Sequence, residues 1–414
     1  MKRVLIHSLI FSPDGVSTAY LYNDIALRLQ QRGYEVVVLT TTPHFNIVPE
    51  QVERQPMLWK VWGLCKVSKF NGMTVLHVPQ KKFKSTVLRL LGFVYWHIVS
   101  FFIGLTIKHV DLILSPSPPL TIGLLNLWLG KLKGCKVVYN VQEIYPDILK
   151  LKGGMVLKVL RWMERKVYNG SDAVTTIDQV FYDTIAPRFE DRRKLHIIPN
   201  FVDTELYRTI SNSQVNSLLD PKLFPNSDSI KLLYAGNIGH AQSWEPLIVL
   251  ADRTRELNIE YIVIGEGARR DYLVEEKERR NLVNLRILPY QPRELMPAIL
   301  SYSDASFVFM APEMDGDGFP SKVYTIMACE RPLLVLSGEN TPIVNFLKDK
   351  GCAELITEKD FDKKVYLMLD WLKTVTKEKL SEMGKKGIAE IRNHYTKEIV
   401  TGQYVDLVDS LLEH

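Results

Sequence analysis

The order apolar run, loop, amphipathic helix, apolar run fills residues 3–40 and starts again at Lys231. In the first instance Val4 to Ile6 predicts a strand, and Phe11 to Ser17 a loop containing Pro13 and Gly15. Ser17 or Thr18 is placed to cap a helix with Leu21, Ile25 and Leu29 on one face. Gly33 ends that helix and Tyr34 to Thr40 supplies the next strand. Asn71-Gly72 predicts a tight turn before a strand from Met73 to Val78. Short β-rich runs recur at Asp111 to Ser115, Lys136 to Val141 and His196 to Ile198. After the restart they lie at Lys231 to Ala235, Tyr261 to Ile264, Leu285 to Leu288, Ala305 to Met310 and Leu333 to Leu336, with helical stretches between.

That alternation predicts an α/β chain of two doubly wound, Rossmann-like domains, with ligand sites at the carboxyl ends of the strands. A length of 414 residues suits two domains better than one. Residues 1–205 read as the first domain. Residues 206–229, rich in Ser, Asn, Asp and Pro, read as a linker. Residues 230–390 form the second domain, and 391–414 a last helix able to cross back to the first. The net charge of +5 gives no reason to expect nucleic acid, though it permits contact with an anionic membrane. Cys65, Cys135, Cys329 and Cys352 have no metal-like spacing and suggest a reducing, cytoplasmic compartment. The apolar stretch at the N-terminus reads as a strand and is too short for a signal peptide.

Leu90 to Ile107 is apolar and follows Lys81, Lys82, Lys84 and Arg89. It is short for a bilayer span, which needs about 20 residues. A buried core helix and a helix lying in the membrane interface both fit. A span fits least, because the strands on either side must share one sheet.

The most informative stretch for chemistry runs from Asp315 to Pro332. Asp315 and Asp317 sit in a Gly-rich loop after an apolar strand, and Phe319 and Pro320 lead into a helix. The N–H groups of Ser321, Lys322 and Val323 are expected to face that loop, with the Lys322 charge beside them. This is a seat for a diphosphate carrying a sugar: helix end and Lys322 on phosphate, acids on sugar hydroxyls. A divalent metal on the acidic pair is the other reading. No further spaced acids complete a calcium loop, and no metal is expected. Gly236-Asn237-x-Gly239, Gly265-x-Gly267 with Arg269, and Pro289-Tyr290-Gln291-Pro292 each follow a strand at the same sheet edge. Singly each is an ordinary turn. Together they can carry phosphate on backbone N–H groups and hold a base. Gly15, after the first strand, joins this binding set. In the first domain Glu143 and Asp147 follow a strand and are candidates for acceptor binding or general-base work. His7 and Asp14 carry less signal, and His44 stands isolated in the sequence.

These residues together resemble the family 4 retaining glycosyltransferases of GT-B fold, over nearly the whole chain. The resemblance is carried by Pro199-Asn200-x-x-Asp203, Tyr234-Ala235-Gly236-Asn237-x-Gly239, Gly265-Glu266-Gly267 and Leu288 to Pro292. It continues through Gly318-x-Pro320-Ser321-Lys322-x-Tyr324-x-x-Met327-Ala328. The Pro-Ser-Lys form, with Tyr145-Pro146-Asp147, is similar to the branch of colanic-acid-type fucosyl and N-acetylfucosaminyl transferases. The resemblance implies two domains facing across a cleft. It implies a nucleotide-sugar donor on the second domain and an acceptor on the first; the leading expectation is a UDP-sugar and a lipid-linked or glycan acceptor. It also implies retention of configuration without a protein nucleophile. No cofactor beyond the donor is implied. The basic run and Leu90 to Ile107 add an expectation of peripheral attachment to the inner face of the cell membrane.

The chain departs from the family at the motif Glu, seven residues, Glu, where it has Asp317 and Thr325. It also lacks a basic pair after the first strand of the second domain, where Asn237 and Gln242 stand. Lys322 and Arg269 would then neutralise the diphosphate, and Thr325 would bond a ribose hydroxyl. Two other activities remain open from the residues: a nucleotide-sugar epimerase of the same architecture, or a degenerate scaffold that binds nucleotide sugar. A dehydrogenase is disfavoured, because the first loop lacks a G-x-G-x-x-G fingerprint.

Overall fold

The computed structural model describes the chain apart from residues 46, 61–62, 82–84, 313–318 and 414. It divides into two compact units, one of Met1–Asn200 joined by the segment from Glu398, the other of Phe201–Lys397.

In the first unit the elements run β1 (Arg3–His7), α1 (Ser17–Arg32), β2 (Glu35–Thr41), α2 (Pro49–Arg54), β3 (Leu58–Lys60), β4 (Cys65–Phe70) and β5 (Met73–Val78). There follow α3 (Thr86–Thr106), β6 (Leu112–Pro116), α4 (Leu120–Lys133), β7 (Lys136–Val141), α5 (Met155–Gly170), β8 (Ala173–Thr176), α6 (Gln179–Ile185) and β9 (Leu195–Ile197). The strands form one sheet in the order β3-β4-β5-β2-β1-β6-β7-β8-β9. Pairing is antiparallel only at β3–β4 and β4–β5. Winding reverses at β1, whose Val4, Leu5 and Ile6 are wholly buried, as a central parallel strand covered on both faces requires.

Helix α1 buries Ala19, Tyr22, Ile25, Ala26 and Leu29, and ends where Gly33 takes a left-handed φ of 104° and donates its N–H to Gln30 and Leu29. Its start corrects the sequence reading. Ser17 is already helical, Val16 holds the cap position, and no side chain caps the end. Asn71 and Gly72 both have positive φ, the geometry of a two-residue hairpin turn, and join β4 to β5. Helix α3 links β5 and β6 of this single sheet and buries Trp96, Val99, Ser100, Ile103 and Gly104. Among the described residues it alone is long and apolar enough to cross a membrane. Both of its neighbouring strands are nevertheless held in the sheet.

The second unit contains α7 (Asn212–Leu218), β10 (Ile230–Ala235), α8 (Glu245–Arg253), β11 (Ile259–Ile264), α9 (Arg270–Arg279), β12 (Leu285–Leu288), α10 (Met296–Tyr302) and β13 (Ala305–Phe309). After these come α11 (Lys322–Ala328), β14 (Leu333–Leu336), α12 (Pro342–Leu347), β15 (Ala353–Ile356), α13 (Phe361–Thr374), α14 (Lys377–His394) and α15 (Lys397–Leu412), the last continuing into the first unit. The sheet is wholly parallel, β12-β11-β10-β13-β14-β15, and its winding reverses between β10 and β13. The stretch read as a linker, 206–229, carries α7 and packs Tyr207, Val215, Leu219 and Phe224 into the core of this unit. Its polar composition reflects the exposed side of a short helix. Here too Asp203 pairs with Lys397 at 2.8 Å, and Val202 bridges to Thr396.

Candidate functional site

In an open parallel sheet the crevice for a ligand lies at the carboxyl ends of the strands flanking the winding reversal. In the second unit those ends are Ala235 and Phe309. The chain after β10 folds back on the chain after β13. Ser243 donates its N–H to Phe309 and Ala311 its N–H to Ala241, while Gln242 bridges Met310. The neighbouring loop is bound in the same way, with the Ile238 N–H on Glu266 O and the Arg269 N–H on Ile238 O, both at 2.9 Å.

Glycines make this closeness possible. Gly236 and Gly265 have φ of 151° and 144°, and a Cβ on Gly265 would strike the carbonyl oxygen of Gly236. Gly267 likewise lies against Ile238 O. Two buried aromatics fix the first loop from below. The Tyr234 hydroxyl donates to Asn237 O at 2.7 Å, and the Trp244 indole N–H donates to Gly239 O at 2.9 Å. The Asn237 amide covers Gly239.

Lys322 begins α11 and turns back to this loop. Its Nζ would lie 2.7 Å from a Cβ on Gly236, and it stands 3.9 Å from the centre of the Tyr234 ring. Among the described residues no carboxylate pairs with it. Burial alone pulls its pKa from 10.5 down to about 7. A desolvated ammonium on an aromatic face, beside a glycine backbone, is placed to take up the charge of an anion.

The other expected donor residues are placed variously. Asp315, Asp317 and Gly318 lie outside the described residues. Pro320 precedes the helix, and Val323 donates its N–H to Pro320 O at 3.0 Å. A tight first turn consumes that donor, so it does not face the loop. Ser321 is exposed at the helix cap. Phe319 packs on Tyr324 and Phe346, a core contact. The Thr325 hydroxyl donates back to Lys322 O at 2.9 Å. Arg269 is already engaged, paired with Glu245 at 3.0 Å and lying over the Tyr272 ring. Arg269 would have to exchange that partner to meet a diphosphate, whereas no carboxylate among the described residues pairs with Lys322. Tyr290 is exposed at the end of β12, and the Gln291 amide donates to Pro289 O. The sequence reading missed Tyr234 and Trp244 as supports. Their signal was position, a large aromatic two residues before Gly236 and another five after Gly239.

In the first unit Ser117 Oγ accepts the N–H groups of Gln142 and Glu143 and so fixes the loop after β7. Gln142 and Asn200 exchange two amide hydrogen bonds. The Glu143 carboxyl is raised above its ordinary pKa by burial and is held by the Tyr145 hydroxyl. Asp147 is different. Arg161 and Arg188 each stand 2.5 Å from its carboxylate, and both also bind the buried Glu164. Both of its carboxylate oxygens are engaged by guanidinium groups, which ties Asp147 to the ion-pair cluster around Glu164. Replacing Arg188 with Ala is expected to lower unfolding free energy by about 2–3 kcal/mol, softened because Arg161 stays on Glu164. Urea denaturation measures the loss, and UDP affinity should not change. Gly15 lies beside Asp14, whose carboxylate accepts the N–H groups of His44 and Phe45 and is raised by burial to about 6. His7 is a core residue against Asn126, with a pKa lowered by burial to about 4. Among the described residues no group of His, Cys, Asp or Glu gathers as a metal site.

Residues 19–206 match the family described as Glycosyltransferase Family 4, and residues 216–389 the family described as Glycosyl transferases group 1. The chain is 25% identical over 342 residues to the putative colanic acid biosynthesis glycosyl transferase WcaI of Escherichia coli, covering 79% of this chain and 81% of that one. It is 22% identical over 250 residues to the probable glycosyltransferase WbjE of Pseudomonas aeruginosa, covering 59% and 62%. Among solved structures, sucrose-phosphate synthase of Thermosynechococcus elongatus superposes with a TM-score of 0.74 at 12% identity over 100% of both chains. Anabaena HepE, solved in complex with UDP, superposes with a TM-score of 0.73 at 13% identity over 99% of this chain and 100% of that one.

Proposed function

The chain belongs to glycosyltransferase family 4, and on that premise we propose that it moves a sugar from a UDP-sugar to a lipid-linked or polysaccharide acceptor during synthesis of a surface glycan. The observation that carries the donor half is Lys322, a buried ammonium over Tyr234 and against Gly236. UDP as the carrier is supported by HepE, whose structures hold UDP and UDP-glucose. A surface glycan is supported by the similarity to a protein named for colanic acid biosynthesis.

As the bond from the anomeric carbon to phosphate breaks, the sugar gains oxocarbenium character and the diphosphate gains negative charge. Lys322 stabilises that charge, and the rigid loop of Gly236 to Gly239 lets the phosphates approach backbone. The acceptor hydroxyl must lose a proton. Glu143, held by Tyr145, is the candidate group on the first unit, and the leaving phosphate is the other. Retention without a protein nucleophile is the stereochemical reading. Asp317 is assigned to the donor sugar and Thr325 to a ribose hydroxyl through its free lone pairs. The protein works as a peripheral enzyme on the inner face of the membrane.

The test supplies radiolabelled UDP-sugars with a bacterial lipid extract and follows label into the lipid phase. Transfer that needs both donor and extract supports the reading. Conversion of the donor to another nucleotide sugar without any acceptor contradicts it and marks an epimerase.

A further inference from the structure

The first unit carries a surface that donor chemistry does not use. Helix α3 packs beside α4, and α4 beside α5. Each turns large apolar side chains outward. On α3 these include Leu90, Leu91, Val94, Ile98 and Phe102, spaced along one stripe. On α4, Trp128 is 71% exposed, with Leu132 one turn on. On α5, Met155, Val159 and Trp162 are exposed, the last at 56%. A soluble monomer rarely leaves apolar area of this extent on three adjacent helices.

Charge says what covers it. Apart from Arg161, held by Asp147 and Glu164, and Lys133, which donates to Leu105 and Ile107 O, the three helices contain Arg89, Lys131, Lys158, Arg165 and Lys166. Their one carboxylate is Glu164, buried and bound to Arg161 and Arg188. The face is therefore apolar and basic with no exposed acid of its own. Two exposed indoles belong at the level of lipid headgroups. A protein partner or a second copy of this face would find no complementary carboxylate in a self-contact, and like charges would repel.

We propose that α3, α4 and α5 together form a docking face for an anionic phospholipid bilayer. Helix α3 lies along the interface, its outer stripe in the acyl boundary. Trp128 and Trp162 sit at headgroup depth, and the lysines and arginines meet lipid phosphates. The inference rests on the membrane-proximal reading above and adds the surface and the lipid class. It also makes α3 one part of a three-helix face rather than a lone anchor.

The experiment is vesicle co-sedimentation of the full chain, with vesicles of phosphatidylglycerol and phosphatidylethanolamine against phosphatidylcholine alone. UDP binding is measured on the same preparations. Wild type should bind the anionic vesicles at least about tenfold more tightly and release them in high salt. Trp128→Glu with Trp162→Glu, and separately Lys158→Glu with Lys166→Glu, should each weaken binding by about tenfold or more. These positions are exposed, so folding and UDP affinity should be kept. Vesicle binding untouched by both double variants would overturn the three-helix face, as would a solution dimer abolished by Trp162→Glu. No vesicle binding by a protein that binds UDP would sink the docking face and leave the transfer reading intact. Vesicle binding without UDP binding would do the reverse.

Discussion

Replacing Lys322 with alanine is expected to reduce kcat/KM for the UDP-sugar by roughly 10²- to 10³-fold, the usual loss when a preorganised charge on a leaving group is removed. The fold should survive. Wild type holds an ammonium in a desolvated place, with its pKa lowered from 10.5 to about 7. A folded pKa below the unfolded one means that the unfolded chain binds the extra proton between those values. Stability of the wild type should therefore rise as pH climbs from about 7 towards 10.5. Lys322→Met should lack that rise and be at least as stable as wild type at pH 7. Denaturation at several pH values together with initial rates separates this from a structural role. A variant that lost activity and stability together would place Lys322 in the core rather than at the leaving group.

The second large effect belongs to Gly265. Its φ of 144° is a region that L-residues rarely adopt, and any Cβ meets the Gly236 carbonyl. Gly265→Ala is expected to cost about 3–5 kcal/mol, combining backbone strain with overpacking of a tight contact. Relief requires the two loops to part, which displaces Gly236 from the Lys322 ammonium. UDP affinity should fall alongside melting temperature. Gly134→Ala is the control, since its φ of 66° brings backbone strain with no atom within 4 Å of the new Cβ. A Gly265→Ala protein no less stable than Gly134→Ala would show that the loops do not depend on their contact.

Much of this was legible in the residues. The buried parallel strands announce themselves as apolar runs, and β5, β7, β12 and β14 fall where the runs predict. Each of the loops after β10, β11 and β12 follows an apolar run, so the three could be assigned to one edge, whereas the strand order that places the winding reversal came only with the structure. The short strands were harder. β3 is three exposed residues and β15 is mostly half-buried, so neither shows the two-residue alternation that marks a strand. β8 is only four residues long. Site roles were less legible than the fold because sequence shows which charges exist and not which are paired. Sequence offers Arg269 as a second cation beside Lys322, and only the structure shows Glu245 on the first and a tyrosine face under the second. Asp147 looks like a base until two arginines are found on it. The resemblance supplied the motifs, and packing showed which of the described members are paired.

The most direct test of the donor seat is calorimetric titration with UDP-glucose, whose diphosphate has no proton to gain or lose near neutrality. The titration is run at pH 7 and pH 8 in buffers of different ionisation enthalpy. If Lys322 is the diphosphate's cation, binding restores its charge. Uptake should be about half a proton per complex at pH 7 and approach one at pH 8, with affinity falling as pH rises. Lys322→Ala should bind far more weakly and take up none. Binding with no linked proton and no sensitivity to Lys322→Ala would contradict the account.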